Sequence, residues 1–485
     1  MRGNDQGEIG KETKGRRDEG TKGRRDEETK RRRDEETIRL SGKFTDLKHK
    51  KLFENFPPVS TGEWISKING DLRGADFREK LVWKTREGFD VMPFYREEDL
   101  RDLNHAGNLL PLILRSRAEG EKADGTGSGA AQWLIRQNIK VTEYREANRK
   151  ALDILMKGID SIGFIIEDPE SVNEENLSVL LEGIDPSGTE INFLSNGKAR
   201  EIVAALKHIM QLKRFRPESL RGTVEADPFG RLIANGTLCI PVEAGLDYLA
   251  SLTRETRTLP SYRNIQINGS RFTDSGFNAV QELAFCFSIA VEYLAQLTSR
   301  GISSDEAALS MRFSFGIGTD YFMEIAKLRA ARILWDVIAD SFSPSDGKSF
   351  RMEIHSATRI WNDEVADPYI NMLRTQTEAM SAVLGGTDSL TVNAFDMATC
   401  QPDEFSERIA RNQQLILKEE SWFGKVADPA AGSYYIEKLT SLVADNTWKL
   451  FLELEGKGGF LEALDSGYLK SIMETTVTGD TNRKS

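Results

Sequence analysis

Histidine and cysteine are scarce in this chain, four and three among 485 residues. His49, His105, His208 and His355 are scattered, and so are Cys239, Cys286 and Cys400. Neither set has the paired spacing of a zinc site, so no bound metal is expected. An odd number of isolated cysteines fits a reducing compartment, the cytoplasm, better than a disulfide framework. No unbroken apolar run approaches the roughly 20 residues that span a bilayer. The charged N-terminus lacks the apolar stretch of a secretory signal, and no membrane partner is expected. Basic charge is not in excess either. The formal net charge is −11, which argues against nucleic acid as the main partner.

What is present is a globular composition, 39% hydrophobic, on a chain longer than one ordinary core. Its first segment is different. Residues 14–37 repeat "KGRRDEGT", "KGRRDEET" and "KRRRDEET" with a period of eight. With almost no apolar residue, this stretch cannot bury enough surface to offset the entropy of ordering, and residues 1–43 are expected to be a disordered leader. Each basic pair carries its own acidic pair, so the repeat is not a nucleic-acid arm. In "STGEWISKI", Ser60 and Glu63 precede an apolar stripe and predict a helix start. "LVWKTREGFDVMPFY" alternates like a hairpin. "ADGTGSGAAQ" (123–132) reads as a flexible loop. Residues 44–132 are therefore expected to form an N-terminal extension.

From about residue 160 a rhythm sets in. Strands are predicted over 161–166, 190–194, 220–226, 263–269, 309–316, 351–357, 389–395 and 425–432. Helical patterns separate most of them; Val280, Leu283, Ala284, Phe287, Val291 and Leu294, for example, share one face. Eight strands alternating with helices make an α/β protein with a (β/α)₈ barrel over 133–456. A C-terminal helix and the start of a linker are expected over 457–485. The barrel's inward faces are unusual: Gln266, Asn268, Ser310, Arg312, Ser314, Glu353, His355, Thr391 and Asn393 alternate with apolar partners. A polar interior means either a buried hydrogen-bonded network or a channel for an extended polar molecule.

Four strings then point to a family. "FGIGTDYFMEIAKLRAARILW", "DPYINMLRTQTEAMSAVLGGTDSLTVNAFD", "RIARNQQLILKEES" and "VADPAAGSYYIEKLT" resemble the methylmalonyl-CoA mutase family, and the likeness runs from about Leu52 onward. It implies a (β/α)₈ barrel with acyl-CoA lying along its axis. It also implies adenosylcobalamin on a separate C-terminal domain, and interconversion of methylmalonyl-CoA and succinyl-CoA.

The resemblance also marks what this chain lacks. Where catalytic chains of the family carry G-Y-H-M-Q-E-A-G, this one reads "GSRFTDSG", placing Ser270 and Arg271 at the tyrosine and histidine positions. The motif R-A/T-H-C-Q-T-S-G-W falls on "EIHSATRIW". There His355, Thr358 and Trp361 match, while Glu353, Ala357 and Ile360 replace its arginine, glutamine and glycine. The tyrosine-containing tract before R-P-W-T-I-R-Q is replaced by "DGTGSGAAQWLIRQ", and the T-H-R-G-Y-D-S-D run is absent. No D-x-H-x-x-G cobalt-ligand string occurs, so a C-terminal cobalamin-binding domain is expected to be absent.

The resemblance therefore implies the small subunit of a heterodimeric mutase, with no catalytic residues of its own. Adenosylcobalamin would be held by a large catalytic partner chain, and acyl-CoA would meet this protein only through that complex. Residues 44–132 would wrap the partner. An alternative is the substrate-binding chain of a split mutase whose cobalamin domain is a separate polypeptide. Arg271 is expected to pair with Asp274 or Glu353 and plug the channel, or else to grip an acyl-CoA anion. His355 is expected to be a buried, hydrogen-bonded histidine. Arg271 and His355 are the two residues of any vestigial substrate site, and the two glycines of "LGGTD" (384–388) read as a helix C-cap.

Overall fold

The computed structural model describes residues 56–101, 103, 132–195, 197–235, 238, 240–345, 350–360, 367–469 and 471–472. The octapeptide repeat, the Gly/Ser/Ala tract up to residue 131, Cys239, His49, His105 and Trp361 lie outside them. The chain divides into two units after Leu81.

In the first unit a helix runs over Thr61–Asp71, opened by the expected capping box. Ser60 Oγ accepts from the Glu63 backbone N–H, and the Glu63 carboxylate accepts from the Ser60 N–H at 2.9 Å. Ile65, Ile68 and Leu72 recur on one side of this helix, yet none of its residues is buried.

The second unit begins with the expected hairpin, in which Trp83 pairs with Val91 and Lys84 with Asp90. Eight parallel strands follow: β1 Leu134–Val141, β2 Ser161–Ile166, β3 Glu190–Ser195, β4 Gly222–Ala226, β5 Tyr262–Asn268, β6 Met311–Ile317, β7 Ile354–Thr358 and β8 Ser389–Thr391. They close into a barrel, with β8 paired to both β7 and β1.

The eighth strand is not where the sequence rhythm placed it. Residues 425–432 form turns, and the missing strand is β1. Asp428 and Pro429 account for the difference: proline cannot donate to a ladder, and the Asp428 carboxylate is buried on Arg329. β1 shows clear alternation, with Ile135, Ile139 and Val141 buried among the core hydrophobics and Arg136 and Asn138 hydrogen-bonded to each other. The last strand is also shorter than expected: beyond Thr391 the Asn393 N–H bonds the Thr358 hydroxyl at 2.8 Å instead of a ladder carbonyl.

Six helices position the site: α1 Ala199–Leu212, α2 Pro228–Asn235, α3 Val242–Thr256, α4 Ser270–Asp274, α5 Ala279–Ser299 and α6 Tyr321–Ser341. α5 is long and apolar enough to cross a membrane by length and composition, but 72% of its most apolar window is buried; its apolar surface serves the core. α6 contributes buried cations that tie the outer layer to the barrel. Lys327 bonds Glu282 of α5 at 2.7 Å, Arg329 meets Asp428 and Glu437, and Arg332 reaches Asp388 at 2.9 Å. The helix over Ile370–Gly385 ends on Gly386 in the left-handed region (φ 94°), as the two glycines suggested.

Candidate functional site

The barrel axis is filled by charge. Arg312 projects from the second residue of β6 and is 1% exposed. Its guanidinium lies 3.0 Å from Glu190 of β3 and 3.3 Å from Glu353, and it donates to Asn192 Oδ1 at 2.9 Å and to Ser389 Oγ of β8. One side chain can meet β3, β8 and the approach to β7 together only from inside the barrel. Glu353 also accepts from Arg263 Nε at 2.9 Å. Burial pushes the Glu353 carboxyl up, but Arg263 and Arg312 outweigh it and hold its pKa at about 2. Because these residues start their strands, the network occupies the N-terminal end of the barrel.

His355 lies in the same network. Its Nδ1 is 2.8 Å from Ser389 Oγ, and its Nε2 is 3.4 Å from Thr391 Oγ1. Burial first, then the charges of Arg136 and Arg312, push its pKa well below the ordinary value, so the ring is neutral. Arg136 itself is brought down to about 10 by burial and by Arg312, and Gly163 gives it room: a Cβ there would lie 2.7 Å from Arg136 Nη2. The structure differs from expectation at Ser310, whose hydroxyl donates to Glu306 O at 2.9 Å at a helix end instead of facing the axis.

At the opposite, C-terminal end, Ser270 and Arg271 sit on a helical turn, α4, not on an open loop. α4 packs on β6 through Thr273, made possible because Gly316 has no side chain: a Cβ there would lie 2.5 Å from Thr273 Cβ. Ser270 Oγ donates to Asn268 Oδ1 at 2.6 Å. Arg271 reaches neither Asp274 nor Glu353. Its guanidinium donates to Gly230 O at 3.3 Å and stands 3.9 Å from Glu225 of β4, with 40% of the side chain exposed. Glu353 is already held by Arg263 and Arg312, so the residue occupying the axis is Arg312, not Arg271. Ala357 pairs with Gly316 and Thr391 in the sheet.

The family model described as methylmalonyl-CoA mutase matches residues 170–483. The chain belongs to the methylmalonyl-CoA mutase family. It is 40% identical over 433 residues to the methylmalonyl-CoA mutase small subunit of Porphyromonas gingivalis, covering 88% of this chain and 68% of that one. It is 33% identical to the methylmalonyl-CoA mutase of Rhizobium meliloti and 32% identical to the human mitochondrial enzyme, of which it spans 61% and 57%.

Within this family's barrel, the strand residues Arg312, Glu353 and His355 are joined into one network, and Ser270 and Arg271 stand apart from it at the other end. Two acids at that end were not singled out from the sequence: Glu225, and Asp227, which opens α2. The run "VEADP" contained the signal, since acids at a strand's C-terminal end followed by a helix start lie where barrels place functional groups. Asp227 Oδ1 accepts from the Gly230 N–H at 2.9 Å and from the Tyr293 hydroxyl at 2.7 Å.

Adenosylcobalamin requires a histidine free to meet cobalt if this chain is to supply the ligand. Of the two described histidines, His355 is enclosed in the axial network and offers no free ring nitrogen, and His208 lies on the surface with Nδ1 on Glu174.

Proposed function

We propose that this chain is the non-catalytic small subunit of a cytoplasmic, adenosylcobalamin-dependent methylmalonyl-CoA mutase, supporting a large catalytic chain that interconverts methylmalonyl-CoA and succinyl-CoA. The observation that carries this reading is the axial network. A substrate threaded along the barrel would have to displace Arg312, and removing one member of a buried ion-paired cluster costs on the order of 3–5 kcal/mol. At the other end Ser270, Arg271 and Ala357 stand where the family's catalytic tyrosine, histidine and glutamine would orient the acyl group. A methyl group cannot replace an amide's hydrogen bonds there. Cobalamin is assigned to the partner, in keeping with the enclosure of His355 and the lack of a D-x-H-x-x-G string in this sequence.

The first unit supports pairing. Its helix buries none of its residues and leaves Trp64 50% exposed, apolar area that contributes stability once another chain covers it.

The test supplies the purified chain with adenosylcobalamin and methylmalonyl-CoA, alone and with a large subunit. No succinyl-CoA is expected from the chain alone, and a one-to-one complex is expected with the large subunit. Turnover by the chain with only a stand-alone cobalamin domain added would favour a split enzyme instead.

A further inference from the structure

A cavity of about 60 Å³ lies at the C-terminal ends of β6 and β7, under the tip of the hairpin that precedes the barrel. It has room for water but is far below the range of small-molecule sites. The tip carries Arg86, Glu87 and Gly88, between the paired residues Lys84 and Asp90. A two-stranded hairpin this short is marginal by itself, so what it touches decides where it sits. Two hydrogen bonds fasten it to the connection between α4 and α5. Arg86 Nη2 donates to Gly276 O at 3.0 Å, and Asn278 Nδ2 donates to Arg86 O at 2.8 Å. Next to this fastening Glu87 lines the cavity, and its Oε2 is buried with no hydrogen-bond partner among the described residues. The same holds for Thr273 Oγ1, on α4, in a residue 8% exposed. An ionised carboxylate with a bare buried oxygen is costly to hold there; the neutral acid costs less and gains a donor.

We propose that the hairpin tip is a proton-controlled latch on the α4–α5 connection, seated when Glu87 is protonated and released when it ionises. Gly276 follows closely on α4, so release loosens the turn that carries Ser270 and Arg271 at the barrel mouth. The latch is part of the fold, and it stands whether or not the chain works as a small subunit.

Burial first, then the charge of Asp320, raise the Glu87 pKa above its ordinary 4.5, against hydrogen bonds with its own N–H and Thr85 and the charge of Arg86. The charged groups around the cavity are Arg86 on the tip, Asp320 at the start of α6, Glu324 and Lys327 on α6, Glu282 on α5 and Arg359 beyond β7. Lys327 is engaged by Glu282 and Glu324, at 2.7 and 2.5 Å. Arg359 also acts on Asp274, and Arg86 on Asp320. A raised folded value means that the seated tip holds the proton more tightly than the released one. Seating is therefore strongest below 4.5 and weakens as pH rises through the folded value.

Hydrogen exchange of the full chain from pH 4.5 to about 7, corrected for the intrinsic rate, reads the latch. The reporting amides are Gly276 and Phe277, which bond Thr273 O and Phe272 O. Their protection should fall about threefold or more over that range in the natural chain. It should stay level in Glu87→Gln, which keeps a neutral group on the tip. Arg86→Ala should lower protection at every pH, because the bond to Gly276 O is gone. Asp320→Asn removes the like charge and should move the fall to lower pH; it stands in should Glu87→Gln misfold. Protection that is level or rises with pH in the natural chain would overturn the proposal. So would a fall of the same size and midpoint in Glu87→Gln, or one that Asp320→Asn leaves in place.

Discussion

Arg312 and Arg271 occupy the same barrel, yet their surroundings give them different weight. Arg312 is enclosed, with two carboxylates and two neutral acceptors around one guanidinium. Arg312→Met should therefore destabilise the chain by about 3–5 kcal/mol, because Glu190 loses its partner inside the barrel; urea denaturation monitored by circular dichroism measures the loss. Arg271 is 40% exposed and 3.9 Å from its acid, so Arg271→Ala should change stability by no more than about 0.5 kcal/mol. It should not create turnover, because Ser270 and Ala357 remain as they are. Glu353 adds a pH signature. Its folded pKa, about 2, lies below the ordinary 4.5, so its ion pairs contribute fully above 4.5 and are lost as pH falls towards 2. Melting temperatures followed across that window should drop more steeply for the natural chain than for Arg263→Gln.

At the scale of elements, position along the chain was a weaker guide than alternation. β1 alternates as well as any strand of the barrel, but it follows a glycine-rich tract and precedes the regular strand–helix rhythm. Residues 425–432 keep that rhythm, yet they contain a proline and supply the Asp428 counter-ion for Arg329. α4 is another short-range surprise, a helical turn whose seat depends on Gly316. Gly316→Ala would bring a methyl to 2.5 Å from Thr273 Cβ, a branched atom that cannot swing aside. Overpacking of this kind should cost about 1–3 kcal/mol and lift α4 from β6. Loss of amide protection at Phe272, Thr273 and Ser275, whose N–H groups bond within the turn, would register the movement in hydrogen exchange.

For the whole molecule, the first unit makes association separable from stability. The helix over Thr61–Asp71 buries none of its residues and leaves Trp64 50% exposed, so Trp64→Glu should leave the melting temperature of the isolated chain nearly unchanged. The same change should weaken capture of the large subunit by about tenfold, since an apolar contact of roughly 1.5 kcal/mol would be lost. Size-exclusion chromatography of mixed chains reads that change; an unaltered complex would remove this helix from the interface.

The sequence by itself determined the family, through long strings such as "FMEIAKLRAARILW", and the barrel class, through alternating and helical periods. Both are local or cumulative signals, readable without knowing which residues meet. It also showed that the inward strand positions are polar. Only the tertiary structure decided what that polarity does. Glu190 and Arg312 are 122 positions apart, and nothing local says that they meet on the axis or that Arg271 faces Glu225 instead of Glu353. Partner choice among many charged groups depends on strand order, register and barrel closure, which bring distant residues within a few ångströms and exclude water from between them.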